Sequence, residues 1–172
     1  MKKRIIASFI GFALILSSSV AAWADFAGGL KAYQSRDYAT ALRLFKADDG
    51  PDSCYVLGIM YYKGEGVRAD KAEAVRWLRK AGEKGNVRAQ YNLGMMYDKG
   101  DGVPQNLKEA AGWYRKAAEK GHVESQFNLG LMYTNGEGVP KDRKEAVKWL
   151  RKAARKGHPN ARKLLGVMGE KY

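Results

Sequence analysis

The chain has 172 residues, 45% of them hydrophobic, and carries 31 Lys and Arg against 18 Asp and Glu, a formal net charge of +13. Its one cysteine excludes a disulfide framework within the chain, and that cysteine with two histidines is too sparse a set for a Cys/His metal cluster. The basic excess bears on solubility and on acidic partners, not on the fold.

Met1 to Ala24 reads as a targeting segment. Lys2, Lys3 and Arg4 open it, Ile5 to Leu16 is a short apolar run, and Ala22-Trp23-Ala24 ends it as a small-x-small site. Spanning a bilayer takes about 20 apolar residues, so no stable membrane anchor is expected. Cleavage near Ala24 would leave an exported protein, periplasmic or secreted, beginning at Asp25. Residues 25–49 then read as a short helical hairpin. Phe26, Leu30 and Tyr33 mark its first helix, and Tyr38, Ala41, Leu42 and Phe45 its second.

From residue 50 the chain overlays itself at a shift of 36 residues. Leu57-Gly58 recurs as Leu93-Gly94, Leu129-Gly130 and Leu165-Gly166. Gly64, Gly66 and Val67 recur as Gly100, Gly102 and Val103, and as Gly136, Gly138 and Val139. Trp77 recurs as Trp113 and Trp149. In the middle copy Ala89, Leu93, Met96 and Tyr97 fall on one face of a helix. DKGDGVPQN follows as a loop of helix-stopping residues. Asn106 can cap a second helix while Glu109 reaches back, and Asp70 with Glu73 and Asp142 with Glu145 repeat that spacing. Ala110, Trp113, Tyr114 and Ala117 form the second helix's apolar stripe, on which Trp113 is expected to face its own first helix. Gly121 closes it, matched by Gly85 and Gly157. One such hairpin cannot cover both stripes, so copies must stack. The reading is repeats at 50–85, 86–121 and 122–157, with a capping half repeat at 158–172. Leu57, Leu93, Leu129, Trp77, Trp113 and Trp149 form the repeat core.

These residues resemble the Sel-one-like repeat, a relative of the tetratricopeptide repeat with a longer loop. The shared pattern is A-x-x-x-L-G-x-x-Y-x-x-G-x-G-V, then acidic-x-x-x-A-x-x-W, then A-x-x-x-G. The first copy departs slightly, with Arg68 in place of Pro104 and Pro140 and Ser53-Cys54 in place of Ala89-Gln90. The resemblance implies an all-α, right-handed α-α superhelical solenoid of stacked helix-loop-helix repeats. It also implies a scaffold or adaptor that binds a protein or peptide. Some exported relatives pair two cysteines within each repeat, a pattern this chain lacks.

Little points to chemistry. His122 and His158 occupy one register and read as loop residues, because no further ligands accompany them. Gly64-Glu65-Gly66 lacks a preceding strand and a P-loop lysine, so it reads as a turn. Cys54 reads as a half-buried, inert thiol, with an intermolecular disulfide as the other reading. No nucleophile elbow occurs, so no catalytic residue, metal or cofactor is expected. The basic residues of the second helices, Arg76, Arg79, Lys80, Arg115, Lys116, Lys120, Lys148, Arg151, Lys152, Arg155 and Lys156, read first as a solvated outer stripe. An acidic protein, polysaccharide or anionic membrane is the next reading, and nucleic acid the least supported.

The expected protein is thus a monomeric scaffold whose partner is a protein or peptide, with an acidic one left open. Two rivals stand beside it: a cell-envelope hydrolase acting on cell-wall or lactam substrates, and a basic envelope protein binding an anionic polymer. In related repeats the first helices line the concave side, whose non-core positions here include Tyr55, Tyr91, Asn92, Met95, Phe127, Asn128 and Leu131. Aromatics beside amides suit peptide capture, although Tyr91 and Met95 could equally pack into a neighbouring repeat. Asn92 and Asn128 are the leading candidates. The export reading has a direct check. Protein recovered from the producing cell should have the intact mass of residues 25–172, and a retained N-terminus would refute it.

Overall fold

The computed structural model describes residues 26–171, so the expected cleavage after Ala24 lies outside the described residues. Helix α1 spans residues 26–34, and α2 runs Tyr38–Asp48. Three hairpins follow: α3 (Pro51–Lys63) with α4 (Lys71–Glu83), α5 (Val87–Lys99) with α6 (Leu107–Glu119), and α7 (Val123–Asn135) with α8 (Arg143–Arg155). A last helix, α9, covers Pro159–Val167. Among the described residues these nine helices are the only regular structure, and each packs chiefly on its neighbours in the chain. This is the stacked α solenoid that the repeat requires.

The loops show why the hairpins close. Each first helix ends at a left-handed glycine, Gly64, Gly100 or Gly136, whose N–H returns to a methionine carbonyl one turn back. Asp70, Asn106 and Asp142 cap the second helices by accepting the N–H of Glu73, Glu109 and Glu145. The reciprocal half of the expected capping box is replaced. The cap residues' own N–H groups donate to the carbonyls of Tyr61, Tyr97 and Tyr133. The long loop folds the start of each second helix beside the end of the first, where unpaired carbonyls are waiting. Two of the glutamates turn outward instead, Glu73 to Arg76 and Glu145 to Lys148. The loops also seat on the preceding repeat. A Cβ on Gly138, at φ 67°, would lie 2.1 Å from the Leu107 carbonyl oxygen.

Within each hairpin a large side chain of the second helix lies on a glycine of the first. A Cβ on Gly58 would meet Leu78 at 2.7 Å, one on Gly94 would meet Tyr114 at 2.4 Å, and one on Gly130 would meet Leu150 at 2.7 Å. Tyr114, not Trp113, is therefore the residue that faces its own first helix. Trp113, 4% exposed, turns towards the preceding hairpin, where a Cβ on Gly82 would touch its ring at 3.0 Å. The expected face of Trp113 is thus corrected, because the glycine seat lies one residue further along the stripe. Leu57, Leu93 and Leu129 are fully buried, Trp149 is buried, and Trp77 is only half-buried. In the first hairpin Leu30 is exposed. Gly29 and Ala32 point inward, and the Phe45 ring occupies the space a side chain at Gly29 would need.

Polar ties join the repeats at the carboxyl ends of the second helices. Gln90 donates to Gly82 O at 2.8 Å, Gln126 to Ala118 O at 3.0 Å, and Arg162 to Ala154 O at 3.1 Å. Lys120 and Lys156 reach back to Gly85 O and Gly121 O at 2.7 and 2.8 Å, and Lys84 does the same to Asp49 O. These ammonium groups meet the negative end of each helix dipole. Arg79 and Arg115 bond the hydroxyls of Tyr97 and Tyr133 in the following repeat. Arg143 and Arg151 hold Glu170 at 3.1 and 2.9 Å, fastening the chain's end over α8. Much of the basic stripe expected to be solvated is therefore engaged in joining repeats.

Two glycines on adjacent helices test the seat. Gly94→Ala should destabilise by about 1–3 kcal/mol, because overpacking against Tyr114 outweighs the gain in helix propensity. Gly112→Ala on α6, where a Cβ would meet nothing within 4 Å, should stabilise by about 0.5–1 kcal/mol. Chemical denaturation reads both, and equal signs would refute the seat.

Candidate functional site

The first helices present one continuous face, and the candidate residues on it divide by what they touch. Tyr91 is half-buried between the ring of Tyr114, with centroids 6.1 Å apart, and that of His122, 4.6 Å away. Phe127 stacks on His158 at 4.3 Å. Both aromatics thus pack on the histidine that opens the next repeat. Asn128 lies near the Tyr114 hydroxyl, which donates to Asp98 Oδ2 at 3.5 Å. Leu131 is half-buried. Tyr55, by contrast, borders an open groove of about 700 Å³, shared with Phe26, Asp52, Val56, Lys84 and Arg88. Asn92 and Met95 line a smaller cavity of about 190 Å³ between α3 and α5.

Sequence reasoning missed several residues. His122 and His158, read as loop residues, are the N-caps of α7 and α9, where each Nδ1 accepts a backbone N–H, from Ser125 and Ala161 respectively, at 3.2 Å. Asn86 holds this position in the middle repeat and caps α5, which was the available signal. Gln90 and Gln126 recur in register, but nothing local marks them as ties to a carbonyl. Cys54 stands in that same register. It is fully buried rather than half-buried, because the shorter side chain lets α2 and the Asp49 turn close over it; its Sγ lies 3.4 Å from Asp49 Oδ1. Burial, with the Asp49 carboxylate beside it, pushes the thiol up to about 11. Asp49 is held near 2 by hydrogen bonds from Lys80 and Lys84.

Burial raises the Tyr114 hydroxyl above its ordinary range, with Asp98 adding to the effect, and its oxygen is enclosed. No group of three or more His, Cys, Asp and Glu residues that could hold a metal is present among the described residues. No helix among them is long and apolar enough to cross a membrane.

Stacked hairpins with glycine loops and one exposed first-helix face define an α-helical repeat solenoid. The Sel1 repeat profile matches residues 51–86, 87–122 and 123–158, and the chain belongs to the Sel1 repeat family. Among solved structures it resembles a Sel1 repeat protein from Oxalobacter formigenes, at 36% identity over 83% of this chain and 60% of that one, TM-score 0.76. It also resembles a protective antigen of uropathogenic Escherichia coli strains displaying an SLR fold, at 36% identity over 86% of this chain and 33% of that one, TM-score 0.78. Cysteine rich protein B of Helicobacter pylori matches at 27% identity over 80% of this chain and 94% of its own, TM-score 0.57. The chain thus spans 60% and 33% of the first two proteins' lengths. Nothing among curated proteins matches it.

The cap at His122 carries a pH dependence. Burial lowers its pKa below the ordinary 6.5, against the opposing pull of Glu124, and a cap acceptor must be unprotonated at Nδ1. As pH falls the unfolded chain takes up the proton first, so this stabilisation is complete above about 6.5 and is lost below it. His122→Asn, which installs the cap found at Asn86, should remove that loss. Thermal midpoints of the two proteins should therefore differ more at pH 5 than at pH 7.5, in favour of the variant. A difference independent of pH would refute the assignment.

Proposed function

We propose that this protein is an exported scaffold that holds a protein or peptide partner along its first-helix, concave side. Sel1 repeat proteins commonly serve as interaction scaffolds, and family membership supports the class of function. The observation that carries the reading is the open groove at the amino end of the face. It spans about 700 Å³ and combines Tyr55 and Val56 with the charges of Asp52 and Arg88. Apolar contact beside a few convergent polar groups is what a peptide site needs. The protein acts without cofactor and as a monomer in this reading.

The hydrolase alternative finds less support. Ser125 Oγ lies 3.0 Å from His122 Nδ1, but Ser125 is fully buried and the same nitrogen accepts its backbone N–H, so the pair forms a helix cap and does not open on a cleft. The anionic-polymer alternative is weakened because Lys84, Lys120, Lys156, Arg79 and Arg115 already bond neighbouring repeats. Surface charges that remain exposed, such as Lys144 and Arg155, still give that reading a place in the test.

Capture from the envelope fraction, followed by mass spectrometry, would supply a purified partner for titration. Arg88→Glu should weaken its binding about tenfold or more, or about 1.4 kcal/mol, with the thermal midpoint unchanged. Lys144→Glu combined with Arg155→Glu should leave affinity nearly intact. The opposite pattern, accompanied by steep salt dependence, would move the site to the basic second-helix face.

A further inference from the structure

Arg79, Arg115 and Arg151 occupy one register of the 36-residue repeat, and each is half-buried. Arg151 is neutralised. Its Nη2 lies 2.9 Å from the Glu170 carboxylate, and its Nε donates to the main-chain carbonyl of Lys171 at 2.7 Å. Arg79 and Arg115 bond the hydroxyls of Tyr97 and Tyr133 instead, a register that falls on Gly169 in the last copy. A phenol orients a guanidinium without cancelling its charge. Among the described residues no carboxylate pairs with either arginine. Both line one open groove of about 550 Å³, formed by α4, α6 and the loop before α8. Lys108 and Lys116 line it too, against Glu83 and Glu109, so four basic side chains face two acidic ones. Lys116 rests on the Trp113 ring, 4.0 Å from its centroid, and Arg79 stands over the same ring at 5.8 Å. Two cations thus converge on one indole, and neither has a carboxylate partner.

We infer that this groove binds an acidic peptide segment, whose carboxylate side chains pair with Arg79 and Arg115. The molecule carries its own example of the contact, since Arg151 in the same register holds a glutamate and a main-chain carbonyl of one short segment at once. That combination of side chain and main chain points to a peptide as the occupant. A guanidinium has five N–H donors in a rigid fork, and the tyrosine takes one direction of it, so donors remain for a carboxylate and a carbonyl. Bonding across the joint leaves these arginines less accessible than free surface cations. It also fixes their orientation in advance, which lowers the cost of binding. Glu83 and Glu109 oppose a continuous polyanion, whereas a peptide can place its carboxylates on either side of them. The site belongs to the second helices, so it goes beyond the first-helix groove and stands or falls without it.

The probe is hexaglutamate blocked at both ends, with blocked hexaglutamine as its neutral counterpart. In NMR titrations at about physiological salt, hexaglutamate should saturably shift the Nε–H signals of Arg79 and Arg115 and the Trp113 indole N–H. Hexaglutamine should leave them in place. Arg79→Gln combined with Arg115→Gln should weaken binding about tenfold or more, the range expected when charge-assisted hydrogen bonds are lost. Because these arginines also join repeats, Lys108→Glu combined with Lys116→Glu gives a second test that leaves the joints intact. It should weaken binding about fivefold or more. Arg76→Gln combined with Lys148→Gln removes two charges from ion pairs outside the groove and should leave affinity within about twofold. A thymidine hexanucleotide should bind more weakly than hexaglutamate. Absence of saturable shifts would overturn the site, as would unchanged binding in the Lys108 and Lys116 variant. Equal losses in the arginine pair and the Arg76 and Lys148 pair would reduce the effect to net charge and overturn it as well. Equal or tighter binding of the hexanucleotide at the same signals would overturn the peptide as occupant.

Discussion

The close approach of the two helices in each hairpin, over a glycine at position 58, 94 or 130, is the constraint on which the other features depend. A Cβ at any of these positions would stand 2.4–2.7 Å from a side-chain atom of the partner helix, a separation that real atoms do not tolerate. With the glycine in place, a single large residue from the second helix crosses the first and fixes its rotation. That rotation turns Leu57, Leu93 and Leu129 inward and leaves positions 55, 91, 92, 95, 127, 128 and 131 half-buried on the open face. It also sends Trp113 and Trp149 the other way, towards the neighbouring hairpin. Hairpin geometry and the open first-helix face therefore share one cause. The size of the residue on the seat then decides whether the face is filled, as by Tyr114, or open, as above Leu78.

Stacking depends on a second set of contacts that is polar and repeats with the same period. Each second helix ends in carbonyls that its own backbone cannot satisfy, and the following repeat supplies donors. A buried glutamine or an arginine takes one carbonyl, and a lysine takes the glycine carbonyl beyond it. In a quasi-one-dimensional protein each joint is felt only by its neighbours, so these donors recur in every copy. The same requirement accounts for part of the charge excess. The lysines and arginines that occupy these joints are counted in the net charge but are less available to an outside anion than free surface charges would be.

The first and last of the described joints depart from the repeat. At the amino end the Asp49 carboxylate, in a left-handed turn, replaces the glycine found at the later joints and accepts both Lys80 and Lys84. Cys54 takes the register of the buried glutamines and closes against that same turn. After α9, Glu170 is gripped by two arginines of α8.

How much of this was legible beforehand follows from the range of each interaction. Helix positions, caps, loop glycines and the stacked architecture depend on residues within one turn or one hairpin, and the 36-residue period repeats the evidence three times over. Those features were readable from sequence alone. The direction of Trp113, the outward turn of Leu30 and the closure over Cys54 were not, because each is settled by a side chain or turn on another helix; the histidine caps are local and were missed although Asn86 marks their register. Asn92 and Asn128 mark the boundary between the two kinds of knowledge. They share a residue type, a register and a helix face, so sequence treats them alike. Leu78 stands near the first and Tyr114 near the second, side chains of different length reaching across packed helices, and only the tertiary structure brings those atoms together.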